Sequence, residues 1–195
     1  MSKKNQLTTT DYLAWPEYIK LTECLHKDHD VLGETYARVA VSTALRISDV
    51  LRLTWDMVLN RDHFIITEKK TRKTKRVDIS EKNSKKYEEL YALNGCPDTK
   101  ELIFVNRRSG KAYTKQYIDR LMKDWKEKYN IEVGNFSSHS FRKTFGRFVY
   151  NSMPNKTDAV IKLQGIFNHS NPQITLRYIG VRQEEITGIY GMIEA

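Results

Sequence analysis

The chain has 195 residues, with 33 Lys and Arg against 24 Asp and Glu, so it carries a formal charge of +9. Its composition, 39% hydrophobic with eleven Tyr, seven Phe and three Trp, supplies enough apolar bulk for one folded domain and excludes a chain disordered throughout. No apolar run approaches the roughly 18 residues a bilayer span needs, and the surplus of positive charge favours a polyanion, either nucleic acid or an anionic membrane surface.

In chain order, Thr8 to Thr10 offer N-caps, and Leu13, Tyr18, Leu21 and Leu25 share one face of a first helix. The stretch ETYARVAVSTALR after Gly33 predicts a second helix. Ile47, Val50, Leu51 and Leu53, after a Ser48 cap, predict a short third one ending near Trp55. HFIIT (63–67) and KRVDIS (75–80) are rich in β-branched residues and are joined by the polar EKKTRKT, a hairpin pattern. Residues 81–93 predict a helix that stops at Asn94-Gly95, LIFV (102–105) a strand, and NRRSG (106–110) a turn. From Thr114, Ile118, Leu121, Met122, Trp125 and Tyr129 keep helical spacing. A helix starting at Ser137 or Ser138 carries the stripe Phe141, Phe145 and Phe148, and KTDAVIKLQGIF (156–167) is another. The tail holds Ile186, Ile189, Tyr190 and Ile193 at helical spacing. The fold class expected is mainly α with a small antiparallel sheet, residues 1–195 forming a single domain.

Several chemistries have no anchor in this sequence. There is neither a GxxxxGK[ST] loop nor a GxGxxG loop for a nucleotide. Cys24 and Cys96, far apart, make no disulfide framework and point to a reducing cytoplasm. Cys24, His26 and His29 match no structural zinc spacing, so no metal is expected. The N-terminus lacks the apolar stretch of a secretory signal.

Other segments need explaining beyond packing. In ALRISDVLRL (44–53), Arg46 sits among apolar neighbours with Asp49 three residues on. Alone, such an arginine is ordinarily a salt-bridged residue; beside a carboxylate it can be a guanidinium fixed for bidentate phosphate contact. KKTRKTKR (69–76) has six basic residues in eight and no acid. A charge run is usually a solvated face, but repelling cations on a tight turn are relieved by a phosphate backbone. In SSHSFRKTF (137–145), His139 and Arg142 are three apart near a helix N-terminus, where free N–H groups also favour an anion. In FNHSNPQITLRYIGV (167–181), His169 precedes Tyr178 by nine residues. Composition and periodicity alone do not single Tyr178 out from ten other tyrosines.

Taken together, ALRISDVLRL, a Lys-Thr on a hairpin, HxxR, and a His nine residues before a Tyr occur in an order and at intervals that resemble the catalytic domain of the tyrosine recombinases, the phage-integrase family. The resemblance runs from about residue 8 to residue 181. It implies catalytic roles for Arg46, Lys70, His139, Arg142, His169 and Tyr178, with Tyr178 the nucleophile. Lys70, before Thr71, matches best, with Lys69 and Lys73 as rivals. Phe167-Asn168-His169 stands where the family has Leu-Gly-His; Asn tolerates positive φ, so the turn is expected to survive. Most family members carry a helical DNA-binding arm ahead of the catalytic domain, whereas only about seven residues precede the first matching helix here. That is expected of an excised catalytic domain or of short members such as the fimbrial phase-switch invertases.

The resemblance implies a site-specific DNA recombinase in which Tyr178 attacks a backbone phosphorus, expels the 5′ oxygen and leaves a 3′-phosphotyrosyl link, with no metal or cofactor. Arg46, Arg142 and His169 would meet the phosphorane oxygens, His139 would assist the tyrosine, Lys70 would protonate the leaving oxygen and Asp49 would orient Arg46. Arg72, Lys73, Lys75, Arg76 and Lys143 would hold the duplex. The implied partners are double-stranded DNA and further copies of the chain, a tetramer on two duplexes. Residues 182–195 would either dock on a neighbour or pack on their own domain. A DNA-binding regulator on the same fold, without recombinase activity, is the alternative.

Overall fold

In this computed structural model, which describes residues 10–181, helices dominate, and β-structure comprises two short antiparallel hairpins and one isolated bridge. The first helix, α1 (Trp15–Lys27), begins later than Thr8 to Thr10 would have it. Pro16 fixes φ for the first turn and lacks the N–H that would go unpaired there, while Thr10 Oγ1 instead hydrogen-bonds Ser137 Oγ at 3.0 Å. Conversely, α2 (Val31–Thr43) begins ahead of Gly33. Asp30 accepts from Gly33 N at 2.8 Å and from Trp125 Nε1 at 2.9 Å. Gly33 is a packing residue: a Cβ there would lie 2.7 Å from Asp30, Leu25 and Trp125.

Helix α2 is the centre of the molecule, packed between α1 and α7 (Ser140–Ser152), with Tyr36, Ala37, Val39 and Ala40 buried. It ends at Ala44, whose φ of 50° is left-handed. The single helix expected next is two, α3 (Ile47–Val50) and α4 (Trp55–Val58). The chain between them turns at Leu51 and Arg52 and then pairs with the segment around Leu102: Ile103 N donates to Leu53 O at 2.8 Å, and the extended Thr54 bridges Leu102. This pairing also takes most of the expected LIFV strand, so β3 (Val105–Asn106), paired with β4 (Lys111–Ala112), starts only at its last residue.

The hairpin of β1 (His63–Thr67) and β2 (Thr74–Asp78) forms where predicted. Its inward face carries Phe64, Ile66 and Val77, and the register opposes Ile66 to Lys75. Helices α5 (Glu81–Leu93), α6 (Lys115–Lys128) and α8 (Lys156–Phe167) follow the predicted spacing, each capped by a side chain: Ser80, Thr114 and Asn155. A further helix, α9 (Pro172–Tyr178), was not predicted; Asn171 caps it and Pro172 opens it.

A second small core joins Ala44, Leu163, Phe167 and Ile179. It depends on Gly146 of α7, where a Cβ would sit 2.6 Å from Ile179 and 2.9 Å from Phe167. That close approach brings α9 against α7 and seats Tyr178 beside Arg142. Among the described residues no helix is long and apolar enough to cross a membrane. The tail with Ile186, Ile189, Tyr190 and Ile193 lies outside the described residues.

Candidate active site

The site forms where the left-handed end of α2, the first turn of α7, the end of α8 and the β1–β2 hairpin meet. Arg142 is only 2% exposed although fully ionisable. Its guanidinium is held by carbonyls: Nη1 donates to Ala44 O, and Nη2 to Phe167 O at 3.0 Å. Arg46, at the N-cap position of α3, directs Nη2 to the same Phe167 O at 3.3 Å and places Nη1 2.7 Å from Glu68 Oε2. Two guanidinium groups therefore converge on one carbonyl, with one buried carboxylate beside them. Charges this close repel strongly in a desolvated site, and an anion with several oxygens would relieve them.

A third cation is aimed at the same place. Lys75 faces inward with Ile66 and Val77, since alternate residues share one side of a strand. Its Nζ is buried without a hydrogen-bond partner among the described residues. Burial, with Arg142 and Arg46 nearby, pushes its pKa down to about 8, Glu68 and Asp49 opposing.

Tyr178, at the end of α9, stacks edge-on against Phe167 at 5.2 Å and His169 at 5.1 Å, with the Arg142 guanidinium 5.9 Å from its ring centre. Burial raises its pKa, and Arg142 and Arg46 pull against that rise. His169 lies beyond the left-handed Asn168 cap of α8, and its Nδ1 is 3.1 Å from the buried Thr175 Oγ1. Burial, Arg142 and Arg46 push His169 down to about 4, so the ring is neutral at pH 7. In the tautomer whose Nδ1 accepts from the Thr175 hydroxyl, Nε2 carries a hydrogen that a phosphate oxygen can accept. His139 occupies the N-cap position of α7, and burial, Lys115 and Arg142 hold it below its ordinary 6.5, so it too is neutral and able to accept a proton.

Residues 13–185 match the model of the phage integrase family. The chain belongs to that family. It is 33% identical over 150 residues to the probable integrase/recombinase YoeC of Bacillus subtilis (strain 168), covering 77% of this chain and 78% of that protein. Its fold is that of XerA recombinase (TM-score 0.70, 19% identity, 98% of this chain and 66% of that one). It is also that of the XerH site-specific recombinase bound to palindromic difH substrate in a post-cleavage complex (0.69, 18%, 98% and 57%). A lambda integrase dimer bound to a COC′ core site matches at 0.67 and 14% identity, over 93% of this chain and 63% of that one. The chain thus spans just under two thirds, or less, of the length of these solved structures.

Within this phage-integrase-family chain, the structure gathers Arg46, Arg142, His169 and Tyr178 in direct contact or through the shared Phe167 carbonyl. Lys70 lies on the exposed hairpin turn, close enough to His139 to help depress it. Three expectations are revised. Asp49 does not orient Arg46: its Oδ1 accepts from Lys69 N at 2.8 Å and lies 3.5 Å from Arg52 Nη1, and the carboxylate on Arg46 is Glu68. Lys75 is not on the outer face with Arg72 and Lys73 but points into the site. Lys143 is buried, with Nζ bonded to Thr10 O and lying 5.3 Å from the Tyr178 ring centre, so it tethers the segment before α1. Arg72 and Lys73 are exposed, while Arg76 pairs with Asp78 at 2.7 Å. Sequence reasoning missed Glu68 and Thr175. For Thr175 the signal was its place three residues before Tyr178, on the face of a helix too short to show periodicity.

Proposed function

We propose that this chain is a site-specific DNA recombinase that cuts and rejoins DNA through a 3′-phosphotyrosyl intermediate, using its own side chains. The observation that carries the reading is the pair Arg46 and Arg142 meeting at Phe167 O with Tyr178 packed against Arg142. The name of the YoeC relative and the DNA-bound recombinases of the same fold support it.

The Tyr178 oxygen attacks the phosphorus as its proton passes to neutral His139, and the bond from phosphorus to the 5′ oxygen breaks. Lys70, on the turn, gives its proton to that oxygen. Arg46, Arg142 and Lys75 meet the charge on the non-bridging oxygens, and His169 Nε2 adds a hydrogen bond. Donors already fixed by carbonyls and by Glu68 need no reorganisation when that charge develops, and each contributes on the order of a hundredfold or more. Because the phosphoryl bond to Tyr178 replaces the one broken, rejoining needs no external energy source. Exchange of both strand pairs needs several protomers around two duplexes, and a tetramer is expected.

The test uses a pool of nicked duplexes with a randomised site. Denaturing capture should recover duplexes bound covalently to the native chain and sharing a common repeat, and none with Tyr178→Phe. Adducts with the Phe variant overturn the reading; repeat-specific binding without any adduct would make the chain a regulator instead.

A further inference from the structure

One oxygen in this site is shared by three elements. Glu68 Oε2 lies 2.7 Å from Arg46 Nη1, accepts from Thr71 Oγ1 at 2.7 Å and accepts from Asn168 Nδ2 at 3.1 Å. The ion-paired Arg46 lies at the start of α3, the Thr71 donor on the hairpin turn, and the Asn168 donor on the left-handed residue just before His169. The backbone of Glu68 also closes the turn, donating to Lys73 O at 3.0 Å and accepting from Arg72 N at 2.9 Å. The carboxyl is fully buried. Burial pushes its pKa up, but Thr71, Asn168 and Arg46 outweigh that and hold it below its usual range, so Glu68 is ionised at neutral pH.

A buried carboxylate beside a phosphate site repels the substrate, and its place there needs a compensating role. We infer that Glu68 and Asn168 form a positioning pair that locks Arg46 and the hairpin turn to the His169 turn, setting the rate of strand cleavage rather than the affinity for duplex. The inference rests on the recombinase reading above. Asn168 has φ 53°, a conformation glycine adopts more readily. Glycine there would serve the turn but has no amide to reach Glu68. Asparagine meets both needs, since it tolerates the left-handed region and donates.

Two roles for Asn168 therefore predict different rank orders, and Asn168→Gly is the variant that separates them. If it serves only the backbone, Asn168→Gly equals or exceeds the native chain and Asn168→Asp is close behind. If it positions Glu68, Asn168→Gly slows cleavage about tenfold by losing a hydrogen bond to a charged acceptor, and Asn168→Asp slows it further by setting a second carboxylate against Glu68. Glu68→Gln, which keeps the shape but not the charge facing Arg46, slows it at least tenfold. These rates are single-turnover adduct formation at saturating nicked duplex, taken from the randomised pool, with duplex affinity within about twofold of native. A native rate in folded Asn168→Gly, or an equal loss in affinity and none in rate, overturns the pairing. A second measurement needs no DNA: in the free protein, amide exchange across residues 68–73 should accelerate about tenfold in Asn168→Gly, although the substitution lies 100 residues away in sequence. Unchanged exchange there overturns the coupling. Should the native chain itself form no adduct, the recombinase reading falls, and the exchange result alone decides whether Asn168 holds the hairpin.

Discussion

The buried cluster around Phe167 O and the exposed turn at residues 69–73 are both basic, yet they differ in how their charge is held. Arg142 and Arg46 are fixed by carbonyls and by Glu68, and two neutral histidines stand near them. Lys69, Lys70, Arg72 and Lys73 stand in solvent, and the acid beside them, Glu68, is turned inward. The difference is between charge fixed in place by buried partners and charge left free in solvent. Substitutions in the buried cluster should change cleavage and those at Arg72 and Lys73 should change binding alone, with Lys70 serving cleavage from the turn.

The largest effect is expected at Arg142. Replacing it with Ala removes a fixed donor pair, and adduct formation should fall about a thousandfold. It also leaves the Ala44 and Phe167 carbonyls short of a donor, so the protein should lose about 2–4 kcal/mol in denaturant titration. An unchanged midpoint would mean the carbonyl clamp holds nothing.

Next comes the division of labour between two lysines. Lys70→Ala should slow cleavage about a hundredfold on ordinary duplex and recover on a duplex with sulfur at the 5′ bridging position, because that leaving group needs no proton. Lys75→Met should be slow on both. If the sulfur rescues Lys75→Met instead, the buried lysine is the acid and the turn only binds.

Lys75 also predicts a proton effect. Its pKa of about 8 in the free site should rise when a phosphate arrives, since an anion favours the charged form. Binding at pH 8 should therefore take up about half a proton, seen by calorimetry in two buffers of different ionisation enthalpy and lost in Lys75→Met. For stability the sign is fixed as well. A lysine with its folded pKa below the unfolded value of about 10.4 penalises the folded state while charged, so its contribution improves as pH rises from 8 towards 10.

The smallest effects belong to the other cations of the turn. Arg72→Ala and Lys73→Ala should each weaken duplex binding equally for all sequences and reduce the salt slope by about one. A change in sequence preference would show that the turn reads bases.

The residues of the candidate site that the structure gathers, Arg46, Arg142, His169 and Tyr178, were legible because they stand in short motifs in order. What failed has physical causes. The pairing of Asp49 with Arg46 rested on their spacing of three residues, but Arg46 is the N-cap of α3 and pairs with Glu68 instead. Lys75 was readable in principle, since strand alternation puts it with Val77 and Ile79 inside, but the surrounding run of charges reads as one solvated stretch. Glu68 looked like one more polar residue of the connecting turn, because nothing local shows that an ion-pair partner from residue 46 and a donor from residue 168 arrive there. The helix carrying Tyr178 is seven residues long, too short for periodicity, although the Asn171 cap and Pro172 mark its start. At the level of elements, α3 and α4 were merged because the pairing that separates them comes from Ile103, fifty residues on.

The account turns on one atom, the Tyr178 oxygen. The most direct measurement is to digest the covalent adduct with protease and nuclease and to locate the remaining nucleotide by mass spectrometry, while labelling the released DNA end. The account predicts a nucleotide joined through its 3′ phosphate to Tyr178 and a free 5′ hydroxyl on the other strand end. A nucleotide on any other residue, or a link through a 5′ phosphate, would contradict it.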